Sequence, residues 1–295
     1  MLYSITLRIL YQYNSPAEVG RHLLRVTPLH LPGIQILRSA RVTCDPVPSE
    51  TLVRRDFFAN TCTEISYRDS QDRTMFEMQA EVERLEPEPG MDVSPRRPGF
   101  RGEVQGATSL HPLSPQHFLP ASPRVPRHDG IAAWAAAAAR EADTAFAAVD
   151  TICAALHRDM TFDSTATLVD TPIARAFDLR RGVCQDFSHI AICALRSLGI
   201  PAGYVSGFLR TLPPEGQARL QGADAMHAWV RAWCGKDMGW VEFDPTNAVL
   251  AGSDHVVIAY GRDYFDVAPV KGALRIAGGQ STSQAVDMIR IGEGR

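Results

Sequence analysis

The sequence predicts an α+β chain, with an all-β region first and a region of helices and strands after it. Three observations carry this. Period-two alternation dominates the first 110 or so residues, a proline-crowded stretch follows, and helix caps and helical periodicity begin only beyond it. Each element is legible in turn. Tyr3, Ile5, Leu7, Ile9 and Tyr11 alternate with Ser4, Thr6, Arg8 and Gln12, a half-buried strand and not the charged-then-apolar pattern of a leader. Further strands are expected at 35–44, 50–58, 61–67 and 73–84, separated by turns rich in Pro, Asp and Asn. The last sets Thr74, Phe76, Met78, Ala80 and Val82 on one face and Met75, Glu77, Gln79 and Glu81 on the other.

From 85 to 126 the chain reads as a connector, mobile in part. One long helix is expected over 131–158, with Asp129 as its N-cap. A second should run from Cys184 to Leu198, stopped by Gly199 and Pro201. Strands follow at 202–209, 225–233 and 239–244. The division drawn is a β-rich domain at 1–110, a connector at 111–129, a second domain at 130–277 and a fraying tail at 278–295.

Composition narrows the function. With 295 residues, 45% hydrophobic and 21% charged, the chain can bury two cores and reads as a soluble globular protein. A net charge of −3 gives no electrostatic reason to expect nucleic acid or an anionic membrane as partner. No apolar run approaches the roughly 20 residues of a membrane span. The six cysteines form no CxxC pair and no metal-ligand spacing, so free thiols, no metal and a cytoplasmic location are expected.

The chemistry lies in Gly182-Val183-Cys184-Gln185-Asp186-Phe187, His227-Ala228-Trp229 and Phe243-Asp244-Pro245. Cys184 opens a helix, where the positive end of the dipole and free backbone N–H groups favour a thiolate and can receive an oxyanion. The alternative is a small buried cysteine with no task. Asp186 opposes the thiolate by its charge and is expected to cap or orient the turn. A two-residue hairpin on Gly235-Lys236 would pair residue i with residue 471 − i and set His227 opposite Asp244, within reach of an imidazole–carboxylate hydrogen bond. A histidine beside a solvated aspartate on the surface is the competing reading. Cys184, His227 and Asp244 thus supply nucleophile, base and base-orienter. Among the others, His189 and Cys193 read as core, and Asn60 as a turn residue. His255 beside Asp254 has no evident task, and Trp229 and Trp240 pack or wall a cleft.

With Leu198-Gly199-Ile200-Pro201, Trp240-Val241-Glu242 and Thr246-Asn247 added, these segments resemble the core of the bacterial transglutaminase-like family over about residues 160–250. The first 110 residues are similar, more loosely, to the β-rich domain that precedes that core in many bacterial members. The resemblance implies a papain-like, transglutaminase-like fold with the nucleophile helix on an antiparallel sheet. It also implies Cys184, His227 and Asp244 as nucleophile, base and acid, and no cofactor or calcium. The expected activity is thiol-dependent acyl transfer on peptide or carboxamide bonds through a thioester, as a cysteine peptidase or amidase. Cross-linking of glutamine to amines and non-catalytic peptide binding are the alternatives. Hydrolysis comes first because an intracellular chain without a metal-regulated latch meets water more easily than a chosen amine. The expected partner is a peptide or protein substrate; oligomeric state is left open.

Overall fold

The computed structural model describes residues 1–86, 90–211 and 224–292. Pro87 and Pro89 of the expected connector lie outside them. Six strands come first: β1 (Leu2–Ala17), β2 (Gly20–Leu24), β3 (Gln35–Asp45), β4 (Glu50–Arg55), β5 (Thr61–Tyr67) and β6 (Gln71–Arg84). The alternation read in the sequence is the alternation of burial. Tyr3, Ile5, Leu7 and Ile9 on β1 and Phe76, Met78, Ala80 and Val82 on β6 are all buried. The antiparallel register sets Ile5 beside Ala80, Leu7 beside Met78 and Ile9 beside Phe76. Burying each such side chain contributes about 1.5–3 kcal/mol, which fixes the register, since a one-residue slip would turn the whole row to water.

The second region begins with α1 (Arg97–Gly106), α2 (Asp129–Ala138) and α3 (Ala145–Asp159). The single helix expected over 131–158 is therefore two. Thr144 supplies the reason: its hydroxyl accepts from the Ala147 N–H and starts a new helix. The cap of α2 is His128, whose ring accepts from the Ile131 N–H, and Asp129 is already helical. Part of the connector is packed, not loose. Phe118 and Val125 are 0% and 1% exposed, and the Phe118 ring meets those of Phe58 and Trp240.

Next come β7 (Thr161–Phe162), α4 (Ile173–Leu179), β8 (Arg181–Gly182) and α5 (Cys184–Ser197). Every residue of α5 from Gln185 to Leu195 is buried, so this helix is the axis of the second core. It ends as expected, with Gly199 at φ +78° just beyond it. It packs on a five-stranded antiparallel sheet of β9 (Ala202–Leu209), β10 (Ala225–Trp233), β11 (Trp240–Asp244), β12 (Val249–Leu250) and β13 (His255–Gly261), in the order β12-β11-β10-β9-β13. An α+β core with the helix on an antiparallel sheet, preceded by β-rich strands, is the architecture expected.

The chain then returns to its beginning. After α6 (Tyr264–Val267), β14 (Val270–Leu274) pairs with β2 and β15 (Gln280–Arg290) pairs with β1. The expected fraying tail is thus corrected. Met288 and Val286 lie opposite Ile5 and Leu7 and are fully buried, so the polar residues of the segment hide an alternation that β1 completes. The two resulting N-terminal sheets run β15-β1-β6-β3 and β14-β2-β5-β4. Among the described residues no helix is long and apolar enough to cross a membrane.

Candidate active site

The turn into α5 is built around Asp186. Its carboxylate accepts from the Val183 N–H at 2.9 Å and the Thr167 hydroxyl at 2.6 Å, satisfying a donor that a helix start would leave free. This is the capping role expected of it. Burial pushes the Asp186 carboxyl up, against the pull of these two hydrogen bonds. Gly182 is required for space: a Cβ there would lie 2.4 Å from the Asp186 Oδ2. Gln185 donates from its amide to the Val169 carbonyl at 2.9 Å, tying the 163–172 loop to the helix start. Cys184, in the middle of this scaffold, stays half-exposed, whereas Cys62, Cys153, Cys193 and Cys234 are buried.

His227 is the third residue of β10 and Asp244 the last of β11. The register between these strands differs from the one expected. Trp233 faces Trp240 and Val230 faces Phe243, so paired numbers sum to 473 and not 471. The connection is longer than a two-residue turn: the Cys234 N–H donates to the Gly239 carbonyl, and Gly239 bonds back to Gly235. A shift of two preserves the face of every side chain, so His227 still meets Asp244, now diagonally across the strands. The His227 Nε2 is 2.7 Å from the Asp244 Oδ2. The Cys184 thiol lies close enough to this ring to favour its protonated form.

Asp244 is wholly buried and surrounded by donors, which excludes the solvated-aspartate reading. Oδ1 accepts from the Thr246 and Asn247 N–H groups at 2.9 and 3.3 Å. Oδ2 accepts from the Asn247 amide at 2.6 Å in addition to His227. Burial works against this charge, but the hydrogen bonds from His227 and His255 hold the carboxyl far below the usual carboxylate range. For His227, burial favours the neutral ring; the hydrogen bond to Asp244 and the nearby Cys184 outweigh it and push the imidazolium up to about 10.

The sequence reading missed His255, which is buried with its Nε2 3.2 Å from the Asp244 Oδ2. The ligand atoms of His227, Asp244 and His255 all lie within 4.8 Å of one another, which raises the question of a metal. The hydrogen bonds argue for a donor network instead. The Gly252 N–H donates to His255 Nδ1 at 3.2 Å, so the lone pair is on Nδ1 and the hydrogen on Nε2, facing Asp244. Nitrogen with a hydrogen on it cannot ligate a cation. The remaining expectations resolve simply. His189 is core: its Nε2 accepts from the Tyr264 N–H at 3.2 Å, and burial lowers its pKa to about 4. Trp229 is completely buried and donates to Glu242, and Trp240 packs on Phe118 and Arg231, so neither was placed by a need to wall a cleft.

The sequence pattern of the transglutaminase-like superfamily matches residues 132–245, and that of the bacterial transglutaminase-like N-terminal region matches residues 3–83. The chain belongs to the bacterial transglutaminase-like family. Uncharacterized protein Rv2569c of Mycobacterium tuberculosis is 29% identical over 286 residues, covering 92% of this chain and 87% of that protein. Uncharacterized protein ML0607 of Mycobacterium leprae is 42% identical over 115 residues, 38% of each chain. A candidate cysteine protease from Cytophaga hutchinsonii shares the fold at a TM-score of 0.77 and 21% identity, covering 100% of this chain and 92% of that one.

The periplasmic domain of TgpA from Pseudomonas aeruginosa is among the similar structures, at 17% identity and a TM-score of 0.36 over 83% of this chain and 88% of that one. The cytoplasmic assignment rested only on composition and the strand-like first residues, which do not fix a compartment, and it is withdrawn.

Proposed function

We propose that this member of the family catalyses acyl transfer on peptide or carboxamide bonds, with Cys184 as nucleophile, His227 as general base and acid, and Asp244 as the group that orients it. The observation that carries the reading is the position of one imidazole between a thiol at a helix start and a buried, multiply hydrogen-bonded carboxylate. His227 Nδ1 takes the Cys184 proton, and the sulfur attacks the carbonyl carbon. The oxygen that gains charge meets the backbone N–H of Cys184 at the positive end of α5. Collapse breaks the C–N bond, and His227 returns its proton to the leaving amine nitrogen. Water or an amine then gives a proton to His227 and attacks the thioester, and the sulfur leaves. Asp244 stays ionised throughout, holding Nε2–H and stabilising the imidazolium.

With the compartment open, water has no precedence over amines as the acceptor, and experiment decides between them. Peptides and a glutamine-containing protein are incubated with the enzyme, with and without a dansylated primary amine. The products and the intact enzyme are then weighed by mass spectrometry. The expected result is an acyl adduct on Cys184, with either cleavage products or dansyl incorporation, all lost in Cys184→Ala. Turnover that survives Cys184→Ala would overturn the reading.

A further inference from the structure

His255 opens β13 and is 5% exposed, wedged between the Trp229 ring, 5.2 Å away, and the Asp244 carboxylate. Its tautomer is set from outside the site, because a backbone N–H, that of Gly252, can only donate to Nδ1. The Nε2–H is therefore a fixed donor to Asp244. With His227 and Asn247 it is the third on the same oxygen, and the three together leave the carboxylate no freedom to rotate.

One edge of the strand that carries His255 pairs with β9; the other is held by the N-terminal domain. β13 is the edge of the five-stranded sheet, where a strand presents unpaired backbone groups. Two buried amide side chains close that edge. Gln35 accepts from the Val257 N–H at 2.8 Å and donates to its carbonyl at 2.9 Å. Asn60 accepts from the Tyr260 N–H and donates to its carbonyl, both at 2.8 Å. Both residues are 0% exposed, and the Leu29 N–H adds a bond to the Val257 carbonyl. Nearby, the Tyr3 hydroxyl donates to Asp254 at 2.6 Å, and Arg84 donates to the Gly252 carbonyl. The loop and strand that carry His255 are thus fastened on several sides to the first domain.

We propose that His255 is a positioning residue that holds Asp244 against His227, and that the N-terminal domain supports the reaction by fixing β13 through Gln35 and Asn60. This rests on the acyl-transfer reading above. Its test uses iodoacetamide labelling of Cys184 in the full chain, expressed as the ratio of rates at pH 6 and pH 10. At pH 6 an ordinary thiol is protonated and labelling requires the imidazole; at pH 10 it ionises unaided. A purely structural loss would scale both rates with the folded fraction and leave the ratio alone.

The expected result is a ratio lowered about tenfold in His255→Phe and in Gln35→Leu, and restored to within about threefold of wild type in His255→Gln, which keeps a donor. If His255→Phe does not fold, His255→Asn, whose amide falls short of Asp244, replaces it with the same expectation. A ratio unchanged in these variants but collapsed in His227→Ala would overturn the positioning role alone. A ratio unchanged in His227→Ala would overturn the acyl-transfer reading, and the positioning role with it.

Discussion

Two carboxylates two residues apart on β11 face the same side of the sheet and meet very different company. Asp244 receives two imidazoles and the Asn247 amide. Glu242 receives the Trp229 indole N–H at 2.9 Å and the Tyr260 hydroxyl at 2.5 Å, with the Arg84 guanidinium 3.9 Å away. Both are hydrogen-bonded hubs, but the Asp244 network contains imidazoles, the groups through which the proposed proton exchange with Cys184 would run. The Glu242 network joins strand to strand and to the first domain. The lesson is that burial and bond number mark a carboxylate as important, while the chemistry of its donors decides what for.

The sharpest way to break this comparison is at its chemical end. Cys184→Ala and His227→Ala should each remove acyl transfer by about four orders of magnitude or more, with the circular dichroism of the fold kept. Asp244→Asn should follow at about three to four orders, because an amide cannot stabilise the imidazolium or enforce its tautomer. Glu242→Gln is the contrast. It leaves the Trp229 or Tyr260 donor opposite an NH2 group and should cost about 1–3 kcal/mol in urea unfolding, with turnover kept within a few-fold. If Glu242→Gln loses as much activity as Asp244→Asn, the division between the two networks is wrong.

A pH series sharpens the same contrast. The His227 imidazolium is raised from 6.5 to about 10, so its stabilising contribution is complete below about pH 6.5 and is lost as pH rises through 10. Asp244 is depressed, so its contribution is complete above its ordinary value of 3.8 and is lost as pH falls well below that. The melting-temperature gap between wild type and His227→Ala should therefore be widest between about pH 4 and 6.5 and close toward pH 10. A gap that stays constant across that range would contradict the protonated ring. An effect on stability of similar size is expected at the helix start. Gly182→Ala forces a Cβ onto the Asp186 carboxylate and should cost about 1–3 kcal/mol, measured by the same unfolding assay.

Much of this was legible from sequence because the relevant signals are local. The α5 bounds follow from Cys184 after Gly182 and from Gly199-Ile200-Pro201, and the β1 and β6 cores follow from strict alternation. The register of β10 and β11 was misread by two because loop length is set by contacts the sequence does not announce. Gly235 approaches Pro95, and the Lys236 N–H donates to Glu103. The face of His227 survived because strand periodicity is two. His255 was passed over because its partner is a strand it never pairs with. Gln35 was passed over, and Asn60 was read only as the turn residue it also is, because an amide that caps a sheet edge has no pattern along the chain. β15 was lost for a related reason: its buried residues, Val286 and Met288, make sense only once β1 lies beside them.

The most direct test of the central claim is the rate of Cys184 alkylation at pH 6 in wild type and in His227→Ala, with the labelled site identified by mass spectrometry. The expected result is rapid labelling confined to Cys184, as follows if His227 takes the thiol proton, and a collapse of at least tenfold in the mutant. Equal, slow labelling in both proteins would contradict it.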